Sequence, residues 1–130
     1  MTQEQISSLL YLIQEEKLAR DVYTIMHQTR GIKKFYNILN AEENHQTLVA
    51  TILEQYNIPN PNIDKDIGEF VDTELQNLYT TLLAQGKQSV DQALNIGVAI
   101  ETKDIEDIQQ MLQIFDGKSD IKDVLQKLLL

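Results

Sequence analysis

Apolar positions recur at helical spacing along nearly the whole chain, and no alternating stretch reads as a strand. The stripe Ile6, Leu9, Ile13, Ala19, Tyr23 and Met26 predicts a helix over about 2–28, with Thr2 and Gln5 as a capping box and Gly31 as a left-handed stop. Glu15 and Asp21 lie off that stripe and are expected in solvent. A second stripe, Phe35, Ile38, Leu39, Val49, Ile52, Leu53 and Tyr56, predicts a helix over about 33–56. The run from Asn57 to Asn62, with two prolines and three asparagines, breaks the pattern, and an acidic loop through Asp64, Asp66 and Gly68 follows. A shorter helix over about 72–84, with Leu75, Leu78, Tyr79 and Leu82 inward, reads as a crossover piece outside the main bundle. Ser89, with Gln92 completing a second capping box, starts a long helix to about Phe115. Its stripe is Val90, Ala93, Leu94, Gly97, Ile108, Met111, Leu112 and Phe115. After the turn Asp116-Gly117-Lys118, the positions Ile121, Val124, Leu125 and Leu128 mark a last, short helix. The pattern predicts one all-α domain over 1–130: an antiparallel bundle with hairpin one at about 2–56, a linker and short extra helix at about 57–86, and hairpin two at about 89–130.

Polar residues interrupt these stripes at particular places. Glu16 falls in the middle of the first, and the period of the second, continued across its gap, lands on Glu42 and His45. Those two are three residues apart and share one helix face. Burying a carboxylate and an imidazole is costly unless something pairs them, and a metal ion is one such partner. In a hairpin turning near Arg30, Glu16 sits opposite about position 45, so three ligand-type side chains meet at one depth. Tyr23, two turns along the same face, is placed to bond a ligand carboxylate from behind. Interpolating the α-helical period of the long second-hairpin helix puts Glu101 and Asp104 on the core face, opposite positions 130 to 133. Competing readings stand beside each. Glu42 and His45 also fit a hydrogen-bonded buried pair, and Glu101 and Asp104 an acidic face bonded to Lys103 or Arg20. Arg20, one turn from Glu16, offers neutralisation without a metal, and Tyr23 also fits as an ordinary core aromatic. The acidic loop at 64–72 lacks calcium-loop spacing and reads as solvated.

Composition narrows the chemistry. The 130 residues contain no cysteine, which removes thiolate metal sites, disulfides and cysteine nucleophiles. A net charge of −9 makes nucleic acid and anionic membranes poor partners, and no apolar run is long enough to span a bilayer. The start Met-Thr-Gln-Glu-Gln lacks signal-peptide features, so a cytoplasmic location is expected.

The phrases Glu-Glu-Lys-Leu-Ala-Arg-Asp-Val-Tyr at 15–23, Glu42-x-x-His45, Glu74-Leu-Gln-Asn-Leu-Tyr79 and Ala99-Ile-Glu101-x-x-Asp104-Ile resemble a prokaryotic ferritin-like family, catalogued as a domain of unknown function and distantly related to rubrerythrin and erythrin. The resemblance covers essentially the whole chain. It implies a ferritin-like four-helix bundle with two carboxylate-bridged metals at its middle, iron first and manganese as the alternative. Carried over, Glu16, Glu42, His45, Glu101 and Asp104 are the implied ligands, with Tyr23 and Arg20 behind them. His45 would bind through one nitrogen, its other nitrogen held by a protein acceptor. The expected activity is a di-iron oxidoreductase, oxidising iron or reducing peroxide or dioxygen, with electrons from an external donor because no cysteine site is built in. The resemblance also implies a longer last helix carrying a further histidine, whereas His27 and His45 are the histidines here. The alternative expectation is therefore a helical structural or interaction module with an incomplete metal site and no cofactor. A stubby last helix would leave apolar surface on its neighbours and favour a homodimer.

Overall fold

The computed structural model describes residues 1–129 and contains five helices: α1 Gln3–Arg30, α2 Lys33–Gln55, α3 Thr73–Gly86, α4 Val90–Ile114 and α5 Ser119–Leu128. No strand occurs among the described residues, and none of their helices is long and apolar enough to cross a membrane. The boundaries follow local chemistry. Thr2 and Gln5 cap α1 reciprocally, side chain to backbone in both directions. Gly31 ends α1 at φ 62°, a conformation that costs a residue with a Cβ about 1–2 kcal/mol. Asp72 caps α3 through the Leu75 N–H, and Ser89 caps α4 through the Gln92 N–H. The expected second half of the Ser89 box does not form. The Gln92 carboxamide oxygen instead accepts from Gln85 Nε2 at 2.8 Å and ties the end of α3 to the start of α4.

Helices α1 and α2 form the first hairpin. Helix α4 runs antiparallel to α1: Gln5 Nε2 donates to the Ile114 carbonyl near one end, and Tyr23 reaches Gly97 and Glu101 further along. Helix α5 lies against α2 and α4 and covers only part of their length. Helix α3 does occupy the crossover, but it is more than a connector. Leu75, Tyr79 and Leu82 are buried where α3 packs on α1 and α4, and there is no room for a Cβ on Gly86 between Ile96 and Met26.

Two apolar cores result. One joins Leu9, Ile13, Val49, Leu53, Ile108, Phe115 and Leu125 from α1, α2, α4 and α5. The other joins Leu18, Val22, Met26, Phe35, Leu75 and Ile96 from α1, α2, α3 and α4. Between them lies a polar layer containing Glu15, Glu16, Glu42 and Asp104, all buried. Two expectations from the stripes are corrected here. Helix α1 is enclosed by α2, α3 and α4, so every residue from 12 to 19 is buried, and Glu15 (3 % exposed) and Asp21 (0 %) are interior and paired rather than solvated. On α4 the inward residues above the layer are Ala93, Ile96, Gly97 and Ile100, because α3 covers that side, while Val90 and Leu94 face outward at 47 % and 37 % exposure.

Candidate metal centre

The polar layer is built from three helices. Glu16 comes from α1, Glu42 and His45 from one face of α2, and Glu101 and Asp104 from one face of α4. The hairpin register expected from the turn holds: His45 Nδ1 lies 3.3 Å from Glu16 Oε2 and 3.7 Å from Glu42 Oε2. Ligand-type atoms form two overlapping groups, Glu16–Glu42–His45 and Glu42–Glu101–Asp104, the atoms of each lying within 4.8 Å of one another. Glu42 belongs to both and is therefore the geometric bridge between two positions.

Both Glu16 carboxylate oxygens, Glu42 Oε2, His45 Nδ1 and Asp104 Oδ1 are buried and lack a hydrogen-bond partner of good geometry. Buried polar atoms are normally satisfied, since each one left open costs on the order of 1–3 kcal/mol. Here the open atoms converge on one spot. The layer responds by holding protons. Burial, followed by the neighbouring Glu42 carboxyl, keeps Glu16 well above the usual carboxylate range. Burial raises Asp104 and takes Glu101 to about 7. Burial also pushes Glu42 upward, but His45 and the Glu16 hydrogen outweigh it and bring Glu42 below its ordinary value. His45 is raised chiefly by Glu42. The imidazole lies nearer Glu16, at 3.3 Å against 3.7 Å for Glu42, and lies within reach of both carboxyl groups.

Tyr23 takes the position expected of it. Its hydroxyl donates to Glu101 Oε1 at 2.7 Å, and its ring stacks on Phe35. Arg20 does not. Its guanidinium turns outward along α1, bonds the Asp21 carboxylate at 3.1 Å and is 29 % exposed. Nor does Lys103 neutralise Glu101 or Asp104. It points to the far side of α4 and bonds Glu15 Oε2, Asp107 Oδ2 and the Tyr11 hydroxyl. His45 backs onto an open cavity of about 460 Å³ instead of the expected protein acceptor. Glu42, Glu101 and Asp104 line the same cavity, and Leu128 and Leu129 stand at its edge, so the last described turn of α5 reaches the depth of the layer. Sequence reasoning missed the Glu15–Lys103 pair. Its only signals were the adjacency of Glu15 to Glu16 and the spacing of Lys103 and Asp107, which share a face.

A histidine and four carboxylates sharing one buried layer form an oxygen-rich donor set suited to hard or borderline divalent metals, and a cation there would satisfy the converging open atoms. Comparison with known proteins finds that the family described as "Uncharacterized protein domain (DUF2202)" matches residues 5–130. The uncharacterized protein MJ0754 of Methanocaldococcus jannaschii is 36 % identical over 129 residues, covering 99 % of this chain and 69 % of that protein. The crystal structure of hypothetical protein MJ0754 from the same organism superposes with a TM-score of 0.95 at 36 % identity, over 99 % of this chain and 73 % of that one.

Proposed function

The chain belongs to the family of the uncharacterized protein domain DUF2202, and on that footing we propose that its polar layer is a dinuclear metal centre of the ferritin-like kind, holding two iron ions, or two manganese ions, and serving an oxidoreductase. One observation supports this most: the unpartnered buried atoms of Glu16, Glu42, His45 and Asp104 converge in two ligand groups that share Glu42. In this reading Glu16, Glu42 and His45 would hold one ion and Glu42, Glu101 and Asp104 the other, with Glu42 common to both groups. When bound, the pair would supply one-electron redox chemistry toward iron, peroxide or dioxygen. The chain's own residues prepare the place. Burial raises Glu16, Glu101 and Asp104 and His45 lowers Glu42, so metal held by these carboxylates would bind in competition with protons. Tyr23 fixes one Glu101 oxygen and so aims the other. Apolar cores lie above and below the layer, which opens to the cavity beside His45, while Glu101 also lines a second cavity with Phe35 and Gly97.

The test is metal content. Protein purified without a metal-affinity tag is expected to carry iron or manganese near two ions per chain, and Glu42→Ala, which removes the bridge, to lose them. Folded wild-type protein that stays metal-free and takes up neither ion when supplied would overturn the reading and favour a helical module without a cofactor.

A further inference from the structure

Helix α3 does not close completely on α1 and α4. Between the three helices lies a cavity of about 170 Å³. Its apolar walls are Leu18 from α1, Leu78 and Leu82 from α3, and Ala99 and Ile100 from α4. Leu18, Leu82 and Ile100 are buried, whereas Ala99 is exposed, so the cavity opens past the Ala99 methyl group. Glu15 and Lys103 supply the polar part of the lining. None of these residues belongs to either ligand group of the polar layer.

Size sets the first limit on an occupant. An apolar cavity left empty costs stability in proportion to its volume, because its walls lose packing partners. Water is a poor occupant where the walls are leucine and isoleucine. An apolar protein cavity of roughly 150 Å³ holds one benzene molecule, so the space here suits one six-membered ring or an aliphatic group of like bulk.

The charged end sets the second limit. Lys103 Nζ gives its three hydrogens to Glu15 Oε2 at 3.0 Å, Asp107 Oδ2 at 2.6 Å and the Tyr11 hydroxyl at 2.8 Å, so the ammonium has none left for a ligand. Glu15 is 3 % exposed, and its Oε1 has no hydrogen-bond partner. An anion would find the ammonium already shared between two carboxyl groups, and a cation would be set beside that ammonium. Either would also lose hydration against the apolar walls. A neutral hydroxyl group escapes both penalties. It donates to a carboxylate and accepts from a carboxylic acid, so it suits Glu15 in either form.

We propose that this cavity is a binding site for a small neutral hydroxyl compound about the size of phenol, its apolar body among Leu18, Leu82 and Ile100 and its hydroxyl on the Glu15 carboxyl group. The site is separate from the polar layer and does not depend on the dinuclear reading. Its occupant touches all three helices and so ties the crossover helix to the bundle.

The experiment follows para-fluorophenol by fluorine NMR as it is titrated with metal-free, full-length protein. Saturable binding of one equivalent is expected, with a rise in melting temperature. Fluorobenzene, which lacks the hydroxyl, is expected to bind about 10-fold more weakly, and Glu15→Leu to remove that difference. The charged analogues para-fluorobenzoate and para-fluorobenzylammonium are expected to bind more weakly than para-fluorophenol. Ala99→Leu adds bulk at the mouth from an exposed position and is expected to abolish binding. Leu78→Phe, which fills the cavity from α3, carries the same comparison should Ala99→Leu not fold. Absence of saturable binding, binding that the filled cavity leaves unchanged, equal affinity for fluorobenzene, a preference that survives Glu15→Leu, or tighter binding of a charged analogue overturns the proposal.

Discussion

Lys17 is 1 % exposed, and each of its ammonium hydrogens is engaged: by Asp21 Oδ2 at 2.5 Å, the Asp66 carbonyl at 2.8 Å and the Glu69 carbonyl at 2.9 Å. The ammonium also rests 4.4 Å from the centre of the Phe70 ring, and Asp21 Oδ2 accepts the Gly68 N–H. The acidic loop is therefore folded around a lysine that takes the place a bound cation would otherwise occupy. Replacing Lys17 with methionine leaves the Asp66 and Glu69 carbonyls unsatisfied and the buried Asp21 held only by Arg20 and the Gly68 N–H, so Lys17→Met is expected to lose about 1–3 kcal/mol in urea unfolding. Any metal uptake that the proposed dinuclear reading entails should survive in the folded fraction, because Lys17 faces the loop and not the layer. Tyr23 is the contrasting case. Tyr23→Phe keeps the stack on Phe35 but leaves Glu101 Oε1 without its donor, and a loss of about 1–3 kcal/mol is expected. A loss well under about 0.5 kcal/mol would mean that solvent from the adjoining cavity already serves Glu101.

Among the elements, the junction of α3 and α4 separates two jobs done by neighbouring residues. Ser89 caps α4, and Gln92 reaches back to Gln85. Ser89→Ala should cost about 1 kcal/mol, and Gln92→Ala should loosen the α3–α4 junction without touching the cap. The double variant in a thermodynamic cycle is expected to be additive within about 0.5 kcal/mol; a reciprocal capping box would instead give a clear coupling term. Helix ends were legible in the sequence because caps are local: Thr2 with Gln5, Gly31 and Ser89 each act within a few residues. The meeting of Glu16 with His45 was legible because a tight turn fixes the register of a hairpin. Stripes failed where their assumption of one buried face failed. Helix α1 is walled on three sides, so Glu15, Lys17 and Asp21 could be interior, Glu15 paired with Lys103 and Lys17 with Asp21, partners that periodicity does not reveal. Val90 and Leu94 were misassigned because the sequence does not say on which flank of α4 the crossover helix will lie. Lys103 reaches Glu15 from 88 residues away, across a crossover whose length sets no register.

At the scale of the molecule, two apolar cores enclose a layer of acids in a chain of net charge −9, which ties stability to pH. Glu101 is raised from 4.5 to about 7 and Glu15 from 4.5 to about 10, both first by burial, and Glu16 and Asp104 are raised as well. Between the ordinary value and the raised one, the folded chain binds more protons than the unfolded chain, so stability falls as pH rises. His45 acts in the same sense. Its contribution is complete below its unfolded value of 6.5 and is lost as pH rises through the higher folded one. Glu42 opposes them, its stabilisation being lost as pH falls through its lowered value, but it stands against several raised groups. The metal-free protein is therefore expected to melt at lower temperature as the buffer is taken from about pH 5 to about pH 8. If the proposed dinuclear reading holds, metal would reverse the sense, because deprotonated ligands would bind it and binding would displace protons, so melting curves with and without Mn(II) should diverge as pH rises. General repulsion in an acidic chain would also lower stability with pH, and Glu101→Gln separates the two. Removing that one titration should flatten the part of the fall that ends near pH 7, while a change in overall charge alone would shift the curve without altering its shape. A metal-free melting temperature that holds steady over this range would mean that the layer's acids are already ionised and paired, and that the proton inventory drawn from their burial is wrong.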